Sequence, residues 1–200
     1  MNQNKVIGLT GSIATGKSQV SNYLKNKGIK VIDADLIARD VANYKIVKNK
    51  IKREFGENLY KNDKLDRKKL AEIIFARKIH RQKLNSIMHP EIYKKIKKES
   101  DSADGLVFID IPLLFENEDL NKKYGLDFDE IWLVYVDRET QIKRLMNRDG
   151  ISREYAEEKI NSQISVEEKR KKSDVIIDNS GTLEETFAQV EEKLKNKEMC

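Results

Sequence analysis

The segment Gly11-x-x-x-x-Gly16-Lys17-Ser18 follows the apolar run Val6-Ile7-Gly8-Leu9 and opens a stretch of helical pattern. A glycine-rich turn between a buried strand and a helix lets successive backbone N–H groups face inward as an anion nest. The positive end of the following helix adds to that field. In this arrangement Lys17 reaches the β- and γ-phosphates of a nucleoside triphosphate, and the Ser18 hydroxyl is placed to ligate Mg²⁺. Such a loop constrains the whole chain, because it belongs at the carboxyl end of a strand in an open α/β sheet.

The remaining sequence supplies that sheet. Ile29–Asp33, Leu106–Asp110, Glu130–Val136 and Val175–Asp178 join Val6–Leu9 as short apolar strands. Near-continuous apolar strands separated by helical segments predict a parallel sheet covered on both faces. The first helix runs from about Lys17 to Gly28, a suitable C′ residue. A long charged helical stretch covers about Leu36 to Ser100, with breaks expected at Gly56-Glu57-Asn58 and His89-Pro90. Further helices are expected over about 138–147 and 152–171. The last helix opens at the capping box Thr182-Leu183-Glu184-Glu185 and carries the stripe Leu183, Phe187, Val190 and Leu194. The expected fold is a three-layer α/β P-loop NTPase fold with a five-stranded parallel sheet, a helical substrate-binding insert and a helical lid. The core covers about 1–35, 104–137 and 172–200, the insert about 36–103 and the lid about 138–171. Ligands in such sheets bind beyond the carboxyl ends of the strands. Gly11 onward, Asp33, Asp110, Asp137 and Asp178 fall there.

Composition narrows the function. No apolar run approaches the roughly 20 residues of a membrane span, and the run before the loop is too short for an export signal. The only cysteine, Cys200, supports neither a disulfide framework nor a metal site. A cytoplasmic protein without membrane partners is expected. The net charge of +5 fits a pocket for small polyanions, and equally a Lys-, Asn- and Ile-rich composition. No aromatic residues interleave with a basic patch, so no nucleic-acid partner is expected. There is no guanine-reading Asn-Lys-x-Asp after a strand; Asn196-Lys197-Glu198-Met199 is at the far C-terminal end. At 200 residues the chain is too short for a motor with accessory domains. A small ATP-dependent kinase with a mobile lid remains.

Asp33, in Asp33-Ala34-Asp35 at the end of the second strand, has two readings. It orients or deprotonates an attacking hydroxyl, or it caps the next helix. Residue type alone does not separate them.

Taken in order, the motifs resemble those of the dephospho-CoA kinase family. They are Ile7-Gly8-Leu9-Thr10-Gly11-Ser12-Ile13, Val31-Ile32-Asp33-Ala34-Asp35 with Ala38-Arg39, His89-Pro90, Pro112-Leu113-Leu114-Phe115-Glu116, Gln141-x-x-Arg144-x-x-x-Arg148, Gln163, and Ser173-Asp174-Val175-Ile176-Ile177-Asp178-Asn179-Ser180-Gly181. The resemblance implies ATP-dependent phosphorylation of the ribose 3′-hydroxyl of dephospho-CoA, the last step of coenzyme A synthesis. It implies catalytic roles for Asp33, Lys17, Arg144 and Arg148, with a lid hinge at Asp149-Gly150. ATP and Mg²⁺ are the expected cofactors, and a monomer or small homo-oligomer the expected state.

Gly11, Ala14, Thr15, Gly16, Lys17, Ser18, Gln19 and Asn179 are the expected nucleotide contacts, Asn179 by fold analogy beside the adenine. Asp33, Asp35, Arg39, His89, Asp110, Pro112, Leu113, Leu114 and Glu116 are the expected acceptor contacts. Ser18 would hold Mg²⁺, with Asp110 acting through water. Asp110 alternatively lines the acceptor pocket, and His89 alternatively caps the helix that Pro90 begins. Arg67, Lys68, Lys69, Arg77, His80, Arg81 and Lys83 make the insert basic enough for a pyrophosphate. Where the family's loop commonly reads Gly-Ser-Gly-Lys-Ser-Thr, this chain has Ala14-Thr15-Gly16-Lys17-Ser18-Gln19; Ala14 and Gln19 are the changes that bear on the loop's backbone and on the residue beside Ser18. Ala14 is compatible with a tight loop if its φ is negative.

Overall fold

The computed structural model describes residues 4–61 and 64–198. Met1-Asn2-Gln3, Met199 and Cys200 lie outside the described residues. The chain divides into two compact units, Met1–Ile32 with Ser102–Cys200, and Asp33–Asp101.

The first unit is built on β1 (Lys5–Gly11), β2 (Lys30–Asp33), β5 (Leu106–Asp110), β6 (Glu130–Tyr135) and β7 (Val175–Asp178). Their order is β2-β5-β1-β6-β7, so the strand feeding the phosphate loop is central. Leu9 stands opposite Asp110 on β5 and Trp132 on β6, both in parallel register. The sheet thereby brings the end of β5 beside the start of the phosphate loop.

Ile7 and Leu9 point to one face, under α1 (Lys17–Asn26) and α10 (Leu183–Glu198). Val20, Leu24, Val190 and Leu194 cover them, and Phe108 meets Trp132 edge-on across β1 at 5.1 Å. Gly8 points to the other face. A Cβ there would lie 2.6 Å from Leu114 Cδ1 and 3.1 Å from Phe128 Cδ1, so glycine lets both side chains close on the strand. On that face α9 (Val166–Lys172) packs against β6.

The helix ends follow local chemistry. Gly28, at φ 79°, closes α1; its N–H reaches Lys25 O, and Ile29 N–H reaches Leu24 O. Thr182 and Glu185 form the expected reciprocal box at the start of α10. Leu183 is 41% exposed and leaves the expected stripe. The helix expected over 152–171 is two helices, α8 (Arg153–Asn161) and α9. Ser165 restarts the helix by accepting from Glu168 N. α6 (Glu118–Lys123) and α7 (Arg138–Asp149) complete the unit.

The second unit holds α2 (Ala34–Val41), α3 (Lys45–Phe55), a 3₁₀ turn at Glu57–Leu59, the paired strands β3 (Tyr60–Lys61) and β4 (Lys64–Leu65), α4 (Arg67–Ala76) and α5 (Lys78–Asp101). Gly56, at φ 108°, ends α3 where a break was expected. The break expected at His89-Pro90 is absent: α5 runs through Pro90, packed against α2, α3 and α4. Tertiary packing outweighs the one backbone donor that proline removes. The chain breaks instead at the extended Arg77. No helix among the described residues is long and apolar enough to cross a membrane.

Candidate phosphate-binding site

Glycine is required at two loop positions for different reasons. At Gly11 a Cβ would sit 2.6 Å from Thr15 Oγ1 and 3.2 Å from Val134 O. Gly16 has φ 84°, and a Cβ on it would strike Asn179 Nδ2. Between them Thr15 folds the loop back, its Oγ1 donating to Ser12 O at 2.9 Å. Ala14 has φ 62°. The condition of a negative φ at Ala14 is not met: the loop passes through a left-handed residue at this point, and alanine adopts it.

Lys17 begins α1, and its ammonium pairs with the Asp110 carboxylate. Arg144 reaches the same loop from α7. Its Nη2 donates to Asn179 O at 2.8 Å, and its Nη1 lies 3.8 Å from where a Cβ on Gly16 would be. Lys17 and Arg144 thus bring two cations to one glycine-rich loop. Ser18 and Gln19 are exposed in the first turn of α1.

Asn179, expected beside the adenine, hydrogen-bonds within the protein. Buried after β7, it donates from Nδ2 to Thr15 O at 2.8 Å and accepts at Oδ1 from Thr186 Oγ1 at 2.8 Å. It supports the loop through hydrogen bonds within the protein.

Arg148 turns away from Arg144's contacts and pairs with Asp149, Nε to Oδ1 at 2.8 Å. That bond and Lys159 hold the Asp149 carboxyl down to about 2. Gly150 caps α7 at φ 63°.

The segment after β5 splits its roles. Leu114 is core, while Leu113 is exposed. Pro112 O accepts from Thr10 Oγ1 and from Lys169 Nζ, both at 3.2 Å. Glu116 Oε1 accepts from Ile164 N at 3.1 Å and pairs with Lys169 Nζ at 2.9 Å. Glu116 thus ties the α8–α9 corner to this segment. Lys169 is fully buried, although it stands in the run Lys169-Arg170-Lys171-Lys172, which has the composition of a solvated face. Nothing in the sequence distinguishes it. Gln163, at the same corner, accepts from Ile13 N.

In the second unit Asp33 caps α2, its Oδ1 accepting from Leu36 N at 2.9 Å. Asp35 and Arg39 are exposed on α2. His89 lies inside α5, edge-on to Tyr93 at 6.2 Å, and caps no helix. The unit has 19 Lys and Arg against 11 Asp and Glu, a net +8; the rest of the chain is net −3.

A family model described as dephospho-CoA kinase matches residues 5–185. A dephospho-CoA kinase of Fusobacterium nucleatum is 46% identical, covering 93% of this chain and 95% of the relative. One from Carboxydothermus hydrogenoformans is 45% identical over 92% of this chain and 90% of its own. The solved dephospho-CoA kinase of Campylobacter jejuni superposes with a TM-score of 0.73 at 32% identity, covering 98% of both chains. Shikimate kinase from Acinetobacter baumannii, 16% identical with a TM-score of 0.56, shares the fold.

Proposed function

Because this chain belongs to the dephospho-CoA kinase family, we propose that it transfers the γ-phosphoryl group of ATP to the ribose 3′-hydroxyl of dephospho-CoA. The products are coenzyme A and ADP. The observation that carries this reading is the approach of Lys17 and Arg144 to one glycine-rich loop, with Asp110 beside it.

Phosphoryl transfer needs alignment and positive charge more than covalent help. Lys17 exchanges its bond to Asp110 for phosphate oxygens. Arg144 neutralises charge on the transferring group from the α7 side. Asp33 accepts the acceptor's hydroxyl proton or orients that hydroxyl; a carboxylate has enough lone pairs to do this while capping Leu36 N. Asp35, Arg39 and His89 contact the acceptor, and the basic residues of the +8 unit serve its phosphates. Leu113, exposed where Leu114 is buried, offers the apolar wall for the acceptor. Arg148 acts at the turn before α8, where Gly150 supplies the hinge of a closing lid.

Ser18 and Asp110 are hard oxygen donors of the kind Mg²⁺ prefers alongside substrate phosphates. When bound, Mg²⁺ neutralises charge on the β- and γ-oxygens. Cytoplasmic activity as a monomer or small homo-oligomer, without nucleic-acid partners, completes the reading.

The test is acceptor choice. The protein is incubated with MgATP and either dephospho-CoA or nucleoside monophosphates, and the product's phosphate is located by ³¹P NMR. A ribose 3′-phosphate on coenzyme A is expected. Turnover of the monophosphates alone overturns the assignment.

A further inference from the structure

Ala14 is the one non-glycine residue with positive φ among the described residues. For an L-residue this region brings Cβ against the following carbonyl, and alanine enters it only when its surroundings hold it there. Two side-chain amides bracket it. Before it, Gln163 Oε1 accepts from Ile13 N at 3.1 Å. After it, Asn179 Nδ2 donates to Thr15 O at 2.8 Å.

Both amides are anchored. Thr186 Oγ1 fixes Asn179 Oδ1, Arg144 holds Asn179 O, and Asn179 N donates to Tyr135 O. Gln163 precedes Ile164, whose N–H is held by Glu116, itself paired with the buried Lys169. Ile13 and Ala14 also pack on the cluster Ile142, Leu145, Ala156 and Ile160. The loop is thus gripped by hydrogen bonds on both sides of its strained residue and by apolar contact at that residue.

We propose that Gln163 and Asn179 are positioning residues that hold Ala14 in the left-handed conformation and so preset the loop N–H groups for nucleotide phosphates. The proposal rests on the reading that this loop holds ATP. A glycine at position 14 would adopt the same backbone without steric cost. The clamp is therefore needed because residue 14 is alanine, and this coupling separates positioning from mere structural support.

Gln163 is the cleaner probe, since Asn179 also binds Thr186. Nucleotide affinity is measured calorimetrically with MgATP, in the absence of acceptor, for the parent chain, Q163M, A14G and Q163M/A14G. Methionine keeps the length of glutamine and removes the acceptor oxygen. In the parent background Q163M should weaken binding about tenfold, the scale of one lost hydrogen bond. In the A14G background the same change should cost less than about threefold, because the two positions are coupled. Equal penalties in the two backgrounds overturn the proposal. A parent chain that binds no MgATP overturns the underlying reading instead.

Hydrogen exchange of the parent chain gives a check that needs no variant. Without added nucleotide the Ile13 amide should be protected; exchange at the unprotected rate overturns the clamp. This arm carries the test if Q163M does not fold.

Discussion

Lys17 Nζ and the Asp110 carboxylate are paired where β1 and β5 end side by side, with side chains only 16% and 5% exposed. On the proposed role of Lys17, nucleotide phosphates compete with Asp110 for this ammonium. D110N removes that competitor and also the carboxylate proposed for the metal side. Binding of ATP measured in EDTA should therefore tighten, while turnover with MgATP should fall by about 10²-fold, the scale of losing one preorganised electrostatic group. Calorimetry and steady-state kinetics read the two effects separately. Weaker metal-free binding would contradict this account of Asp110.

Arg144 and Arg148 are separated by their partners. Arg144 holds the Asn179 carbonyl beside Gly16, whereas Arg148 is 58% exposed and paired with Asp149. R144M should lower kcat by about 10³-fold, in the range reported for arginines that act on a transferring phosphoryl group. R148M should lower it by less than about tenfold, the typical scale of an exposed charge. Single-turnover kinetics with thermal melts distinguish catalytic loss from unfolding.

Gly16 and Gly28 share a positive φ but not their surroundings. At Gly16 a Cβ meets the Asn179 amide, and at Gly28 it meets nothing within 4 Å. G28A should cost about 1–2 kcal/mol of stability from backbone strain alone and leave MgATP affinity unchanged. G16A should cost more and abolish measurable MgATP binding. Denaturant melts and calorimetry check both.

Lys169 and Glu116 form a buried ion pair at 2.9 Å. K169M leaves the carboxylate without its cation and should destabilise the fold by about 3–5 kcal/mol. K169M/E116L should recover most of that loss, because no charge remains buried. Urea denaturation of the single and double variants is the measurement.

Asp149 has the depressed carboxyl noted above, held mainly by its hydrogen bond to Arg148. A folded-state value below the unfolded one contributes stability above the unfolded value of about 4, lost as pH falls toward 2. D149N should therefore flatten the decline in stability between pH 4 and pH 2 relative to the parent chain, by a small amount because the pair is exposed. Melting temperatures across that window, at low and high salt, test it.

Much of this was legible in the chain itself. The loop, the five strands, Gly28 at the end of α1 and the Thr182–Glu185 box each depend on residues within a few positions of one another, so local patterning reports them. The missed features depend on distant partners. α5 continues through Pro90 because α2, α3 and α4 pack along it. α8 and α9 separate where Ser165 caps the second of them, beside Ile164, which is held by Glu116 from 48 residues away. Lys169 looks like any other lysine in a basic run until the fold buries it against Pro112 O and Glu116.

The phosphate loop marks the same division. The sequence by itself determined that a glycine turn joins a buried strand to a helix, with Lys17 and Ser18 at its exit, because nest geometry follows from glycine spacing and strand–helix order. Only the tertiary structure decided how that loop is held. Ala14 takes a conformation disfavoured for an L-residue, and the groups around it, Gln163, Asn179 and Arg144, come from positions more than 100 residues away. Their placement is a product of the sheet order and of packing between α7 and the α8–α9 corner, which no local spacing encodes.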